Sequence, residues 1–371
     1  VDVWLVQKVV LQAQNMTTVA KSLAAALDIV STPTKRPKQY QHSFVMLSCR
    51  GGHSMNLETR NDRLQMIAPC ECQSDPFEAL VHADYLIKAL VGLDGAITLT
   101  GGETGLVVKS GSRRISVPTL PINQDNWYPV NRPAVNHRML LDTATVGKSM
   151  FQAANLAKTA ALPEFQVVNL VSSEDMLSVY GTNRKSLIEL LHHRASGDGV
   201  DVEIPYDIAH LIASLADNSD AKDFTLGIGE KHLTAAFNSV EIVASLPATR
   251  VSICSTWQKF KATVTEEFSR HVLPADSICN AIASAARVND DIHLKLGEQV
   301  EVSASKDQSE FYDSITPIEK KGDTSATIRS DEASMAFSMA SNMESVAVGI
   351  TSNFATVSNP NGTFYLALVR K

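Results

Sequence analysis

Apolar positions along this chain fall into two rhythms, stretches at helical spacing and short alternating runs, and the two follow one another in a repeating order. Met16, Val19, Ala20, Leu23, Ala26 and Leu27 recur at helical spacing and predict a helix over Gln12–Leu27. A polar, basic loop follows at Thr32–Lys38. Strands are predicted at Phe44–Leu47, Ser54–Glu58 and Arg63–Ala68, with Gly51-Gly52 as a turn. A second helix is predicted over Asp75–Leu90, with Leu80, Ala83, Leu86, Ile87 and Leu90 on one face and Asp75-Pro76 as its start. A strand at Ala96–Thr100 and a hairpin at Leu106–Pro121 complete the set. The returning arm of the hairpin puts Ile115 and Val117 on one face and Arg114 and Ser116 on the other.

The same order then returns twice. Helices are predicted at Gly147–Ala161 and Tyr206–Ala216, with strands at Val167–Val171, Met176–Gly181, Val200–Pro205, Phe224–Ile228, His232–Phe237 and Glu241–Ser245. The third round has helices at Ser277–Arg287 and from a Ser330 cap through Met339. Its strands are Ile292–Leu296, Val300–Ala304, Glu310–Ile315, Ser345–Ile350, Phe354–Val357 and Thr363–Val369. Linkers are expected at Ile122–Pro133 and around Pro247–Thr256. The period of roughly 125–135 residues is far longer than a solenoid repeat. It predicts an α+β chain of three similar domains, 1–126, 134–248 and 256–371, each with two helices packed on antiparallel sheets.

Composition adds constraints. The 371 residues are 44% apolar and 20% charged, ordinary for a globular protein. No apolar run approaches the ~18 residues of a membrane helix and no secretory pattern opens the chain, so the expected location is cytoplasmic. Five cysteines at irregular spacing argue against a disulfide framework, and Cys70-Glu71-Cys72 lacks the second ligand pair a structural zinc needs. A net charge of −7 disfavours a nucleic-acid binder unless basic residues collect on one surface.

Signals for chemistry are weak. Gly147-Lys148-Ser149 ends like a phosphate loop, but Asp142 stands where that motif requires glycine. His192-His193 are adjacent, so on a strand they diverge, and they are expected at a loop edge rather than on a metal. The carboxylates are scattered and form no catalytic spacing. No cofactor, metal or catalytic residue is expected.

Several segments resemble the bacterial DNA polymerase sliding clamp family. The hairpin LVVKSGSRRISVPTLP is similar to the one that closes the family's first domain. Lys35-Arg36-Pro37 before Phe44–Leu47, Ser54–Met66, Leu177–Leu187 (LSVYGTNRKSL), Val202–Pro205 and the chain end Tyr365–Lys371 each resemble a family segment. The chain departs from the family in having Leu246-Pro247 for a longer loop, Arg287-Val288 for an apolar pair, and no Met-Pro near its end. The resemblance covers nearly the whole chain and implies the DNA clamp fold, with two chains closing head to tail into a ring around duplex DNA. It implies a non-catalytic, nucleoid-associated processivity factor that tethers a DNA polymerase and is loaded by clamp-loader subunits, both engaging through a short peptide motif. By the same resemblance Lys35, Arg36, Lys38, Lys148 and Lys158 would face DNA. Phe165, Thr182, Arg184, Lys185, Leu187, Pro247, Leu366 and Leu368 would form the peptide pocket, and Ile115, Val117, Arg287 and Val288 the dimer interface. The alternative is a clamp-like scaffold that binds partner peptides without encircling DNA.

Overall fold

The computed structural model describes residues 14–35, 39–74, 76–102, 105–123, 126–127, 133–173, 176–193, 196–197, 199–261, 267–351 and 353–369. Within them lie seven α-helices: α1 (Ala20–Val30), α2 (Ala83–Leu90), α3 (Thr143–Lys158), α4 (Tyr206–Asp217), α5 (Ile253–Lys261), α6 (Ala275–Ala285) and α7 (Ser330–Ser338). All strand pairings described are antiparallel, as the α+β reading requires. The chain divides into two compact units, residues 1–136 with 225–245, and residues 137–224 with 246–371.

Six of the helices share one construction. Each begins at the residue after a strand ends, at Val19, His82, Asp142, Pro205, Pro274 and Arg329. This corrects the first two predicted helices. Gln14–Val19 is a strand in which Met16 and Thr18 are buried while Asn15, Thr17 and Val19 are exposed, a period of two. It has paired neighbours on both sides, Met16 lying opposite Ser74 on one and Leu99 on the other. Likewise Phe77–His82 is a strand and only Ala83–Leu90 is helical. Asp75, expected to start that helix, lies outside the described residues, as do Gln12 and Ala13.

In the first unit, strand Leu64–Ser74 is the hub. It pairs with Gly52–Arg60, with Gln14–Val19 and with Val240–Ser245. Phe44–Cys49 lies between Gly52–Arg60 and Phe77–His82. The predicted hairpin is present as Gly105–Ser110 and Arg113–Val117, turning at Gly111, whose φ of +55° suits glycine. Arg113–Val117 ends its sheet, with Val117 buried and Ile115 half-buried. In the expected linker Ile122–Pro133, Trp127 is buried among Phe44, Met46 and Leu80, and the Arg60 guanidinium lies 4.2 Å from its ring centre.

In the second unit a nine-stranded sheet runs Asp201–Pro205, Val167–Ser172, Met176–Thr182, Leu187–His193, Gly362–Ala367, Phe354–Asn359, Ser345–Thr351, Glu267–Pro274 and Glu319–Lys321. Its continuity rests on Leu187 lying opposite Tyr365. A four-stranded sheet runs Ser309–Ile315, Val300–Lys306, Asp291–Leu296 and Thr324–Arg329. Asp142 caps α3, its carboxylate accepting from the Thr145 amide and hydroxyl at 2.7 Å each. The expected linker Pro247–Thr256 is only partly a linker, since α5 begins at Ile253. Strands Glu267–Pro274, Glu319–Lys321 and Thr324–Arg329 were not predicted.

Candidate functional site

The sequence Thr182-Asn183-Arg184-Lys185-Ser186-Leu187 builds one wall of a hollow of about 470 Å³. It is the turn between two strands and closes on its own side chains. Thr182 Oγ1 donates to the Ser186 carbonyl at 2.7 Å and accepts from the Arg184 amide at 3.0 Å. Asn183 Oδ1 accepts from the amides of Lys185 (3.0 Å) and Ser186 (2.8 Å). These bonds hold Arg184 at φ +76°, a left-handed backbone unusual for a residue with a side chain. The turn is tied down from below by Glu332 on α7, which accepts from Ser186 Oγ at 2.5 Å and Asn183 Nδ2 at 3.3 Å. Arg184 then lies over Phe165, its guanidinium carbon 5.2 Å from the ring centre.

The opposite wall is α5. Val251, Ile253, Thr256 and Trp257 face the hollow and Phe354 closes its end. Trp257 packs on Tyr365 at 4.5 Å and on Phe354 at 6.1 Å between ring centres. Leu187, Ile253, Cys254 and Trp257 belong to one buried cluster with Val167 and Tyr180. Beneath it, Glu189 accepts from the hydroxyls of Tyr180 (3.1 Å) and Tyr365 (3.4 Å). Burial raises the Tyr180 pKa, and the Glu189 charge raises it further, so the phenol stays protonated.

The start of α5 is held by buried polar groups. Glu203, 2% exposed, accepts from the amides of Val251 (2.7 Å) and Ile253 (3.1 Å), and Asn169 accepts from that of Cys254 (3.1 Å). These are the amides a helix start leaves without partners, and a carboxylate there suits the helix dipole. The result is a mainly apolar trough, walled by an aromatic cluster, with Arg184 and Lys185 at its rim. It suits an apolar peptide anchor.

Five of the expected pocket residues therefore meet here: Phe165, Thr182, Arg184, Lys185 and Leu187. Three do not. Leu366 is wholly buried, because alternation along Gly362–Ala367 turns Tyr365 toward Trp257 and Leu366 the other way. Leu368 lines a different hollow beside His293 and Lys295, and half-buried Pro247 is absent from the lining. The sequence reading missed Val251, Ile253, Thr256, Trp257 and Phe354. Ile253, Cys254 and Trp257 are helically spaced, and that was the available signal.

The remaining expected positions are scattered. Lys35, Lys148, Lys158 and Arg287 are exposed and Val288 is half-buried. Arg36 and Lys38 lie outside the described residues. The exposed helix faces carry acids as well as bases: Asp207 and Asp217 on α4, Asp276 on α6 and Asp331 on α7. Gly147-Lys148-Ser149 sits inside α3. A Cβ on Gly147 would come within 2.8 Å of the Ala216 Cβ, so this glycine lets α3 and α4 approach closely. Ser149 and His192 share a hydrogen bond of 2.7 Å, and the two histidines are the last residues of strand Leu187–His193. Among the described residues no group of three or more His, Cys, Asp or Glu is arranged to hold a metal. None of their helices is long and apolar enough to cross a membrane.

No family model and no curated protein sequence matches the chain. Solved structures do. A DNA polymerase sliding clamp from Pseudomonas aeruginosa superposes with a TM-score of 0.84 at 16% identity, over 96% of this chain and 100% of that one. The beta sliding clamp of C. crescentus gives 0.85 at 13%, over 97% and 100%. The beta subunit of DNA polymerase from Streptococcus pyogenes gives 0.85 at 13%, over 96% and 100%. The chain thus has the sliding-clamp fold along nearly its whole length.

Proposed function

We propose that this protein is a DNA sliding clamp, a processivity factor that encloses duplex DNA and tethers a polymerase to it. The observation that carries the reading is the likeness in fold, which extends over essentially all of this chain and all of each clamp. The three domains would be 1–126, 134–248 and 256–371, and two chains would join head to tail through Ile115 and Val117 on one and the Arg287-Val288 region on the other. Arg113–Val117 ends its sheet, and pairing would cover that edge.

The trough beside α5 would take an apolar peptide from a polymerase or a loader subunit. Its Trp257, Phe354 and Leu187 walls supply the buried contact. Arg184 and Lys185 would favour acidic flanks and act mainly on association rate. The chain itself would catalyse nothing.

A second reading, a peptide-binding scaffold that does not enclose DNA, is favoured by the acids on the exposed helix faces. Light scattering on the purified chain at low-micromolar concentration separates the two. A ring requires twice the chain mass for the wild type and a single chain for Ile115→Arg. A wild-type monomer would leave only the scaffold.

A further inference from the structure

We propose that Cys49 and Cys72, in the first unit, are a site of reversible modification: two thiols placed to close into a disulfide when the chain meets hydrogen peroxide, whether or not it acts as a clamp. All five cysteines are free thiols, and four of them are buried. Two of those four face each other, Cys72 Sγ donating to Cys49 Sγ at 3.7 Å. Cys49 is the last residue of strand Phe44–Cys49, and Cys72 lies near the end of the hub strand Leu64–Ser74. Strand Gly52–Arg60 stands between those two in the sheet. Along the hub strand Cys70 and Cys72 are buried while Glu71 and Gln73 are exposed, so alternation turns both thiols inward. Cys70 is engaged elsewhere. Its Sγ lies 3.4 Å from Thr18 Oγ1 and donates to the Glu71 carbonyl at 3.6 Å, which leaves Cys72 to Cys49.

The end of the sheet gives the pair its access. Cys49 is followed by the exposed Arg50-Gly51-Gly52, with φ of +96° and +112° at the two glycines. Beside Cys72 the ladder is irregular. Gly52 pairs with Ser74 and Ser54 with Glu71, so Cys72 and Gln73 together stand opposite His53. A surface turn and an interrupted ladder open at less cost than the whole sheet, and peroxide is a small oxidant. Burial, and after it the Cys49 thiol, push the Cys72 pKa up to about 12, so Cys72 keeps its proton and reacts second. The Cys49 sulfur attacks one peroxide oxygen, the O–O bond breaks, water leaves, and Cys49 becomes a sulfenic acid. The Cys72 sulfur then displaces that hydroxyl, and its own proton departs with it as a second water. Each sulfur gives up one electron and the peroxide takes up both. Bonding draws the sulfurs from 3.7 Å to about 2 Å, and the bond ties the end of Phe44–Cys49 to the hub strand across Gly52–Arg60.

The test treats the folded full-length chain with hydrogen peroxide at neutral pH, then quenches, unfolds and alkylates it for peptide mapping by mass spectrometry. The wild type should yield a Cys49–Cys72 cross-linked peptide, lighter by the hydrogens lost and returned to separate peptides by dithiothreitol. Cys49→Ala and Cys72→Ala should each abolish the cross-link, and Cys70→Ala should leave it as in the wild type. The oxidised wild type should melt about 5 °C above the reduced one, since the bond restricts the unfolded chain. Absence of the cross-link from the folded wild type would overturn the site. So would pairing of Cys72 with Cys70 in place of Cys49, a cross-link between two chains, or one that forms only above the melting midpoint. A chain that cross-links as expected but stays monomeric in light scattering would leave this site standing and the clamp reading fallen.

Discussion

His192 is the residue whose surroundings make the clearest statement about pH. Burial lowers its pKa from the ordinary 6.5, and the nearby Asp142 charge only partly opposes this. The folded protein therefore keeps the ring neutral, bonded to Ser149, while the unfolded chain takes up a proton as pH falls through 6.5. The stability His192 contributes is complete above that value and is lost as pH drops from it toward the lower folded pKa. His82, lowered chiefly by burial, acts in the same direction. Glu58 acts in the opposite one, since burial raises its pKa and acid relieves that cost. The urea midpoint should fall between about pH 7 and about pH 5.5, and His192→Gln should shrink that fall. An unchanged pH dependence in the variant would mean that His192 is not the group responsible. The neighbouring Gly147-Lys148-Ser149 teaches a matching lesson about single residues. Its resemblance to a phosphate loop comes from a glycine needed for helix packing and a serine bonded inward to a histidine.

At the scale of elements, the strand-to-helix joints explain most of what the sequence concealed. Where a strand enters a helix with no turn residue between them, the apolar period changes from two to 3.6 without punctuation. Gln14–Val19 merged with α1 for this reason, and Phe77–His82 with α2. Helix α5 was hidden differently. It is nine residues long, and the groups that satisfy its first amides, Glu203 and Asn169, stand 50 and 85 positions earlier. Such a helix owes its existence to tertiary partners that local pattern cannot reveal. The turn Thr182–Leu187, by contrast, carries its own hydrogen bonds, and four of its residues, Thr182, Arg184, Lys185 and Leu187, were expected where they line the hollow. Leu366, expected at the pocket, is wholly buried, because on a strand its face is opposite that of Tyr365, which packs on Trp257. If Glu203 seats α5, Glu203→Ala should cost about 2 kcal/mol in urea unfolding, the scale of leaving buried amides without partners. It should also shift Trp257 emission to the red as the aromatic wall loosens. Unfolding and emission like those of the wild type would show that α5 is held by its apolar face alone.

At the scale of the whole molecule, three rounds of the same apolar pattern carry a fold that 13–16% identity to solved clamps barely hints at. Burial tolerates exchange among apolar side chains of similar size, so the pattern persists while the letters change. Charge is less constrained by the fold, and here the net charge is −7 with acids on the exposed faces of α4, α6 and α7. A ring of such chains would hold DNA by enclosing it and scarcely by attraction to phosphates. Retention on DNA of two topologies is therefore the most direct test. The protein is loaded by a clamp-loader ATPase onto nicked circular duplex, freed of unbound protein by gel filtration, and followed before and after a single restriction cut. The clamp account predicts that it stays on the circle at raised salt and is lost once the DNA is linear. Equal retention on circle and line, or equal loss from both, would contradict it.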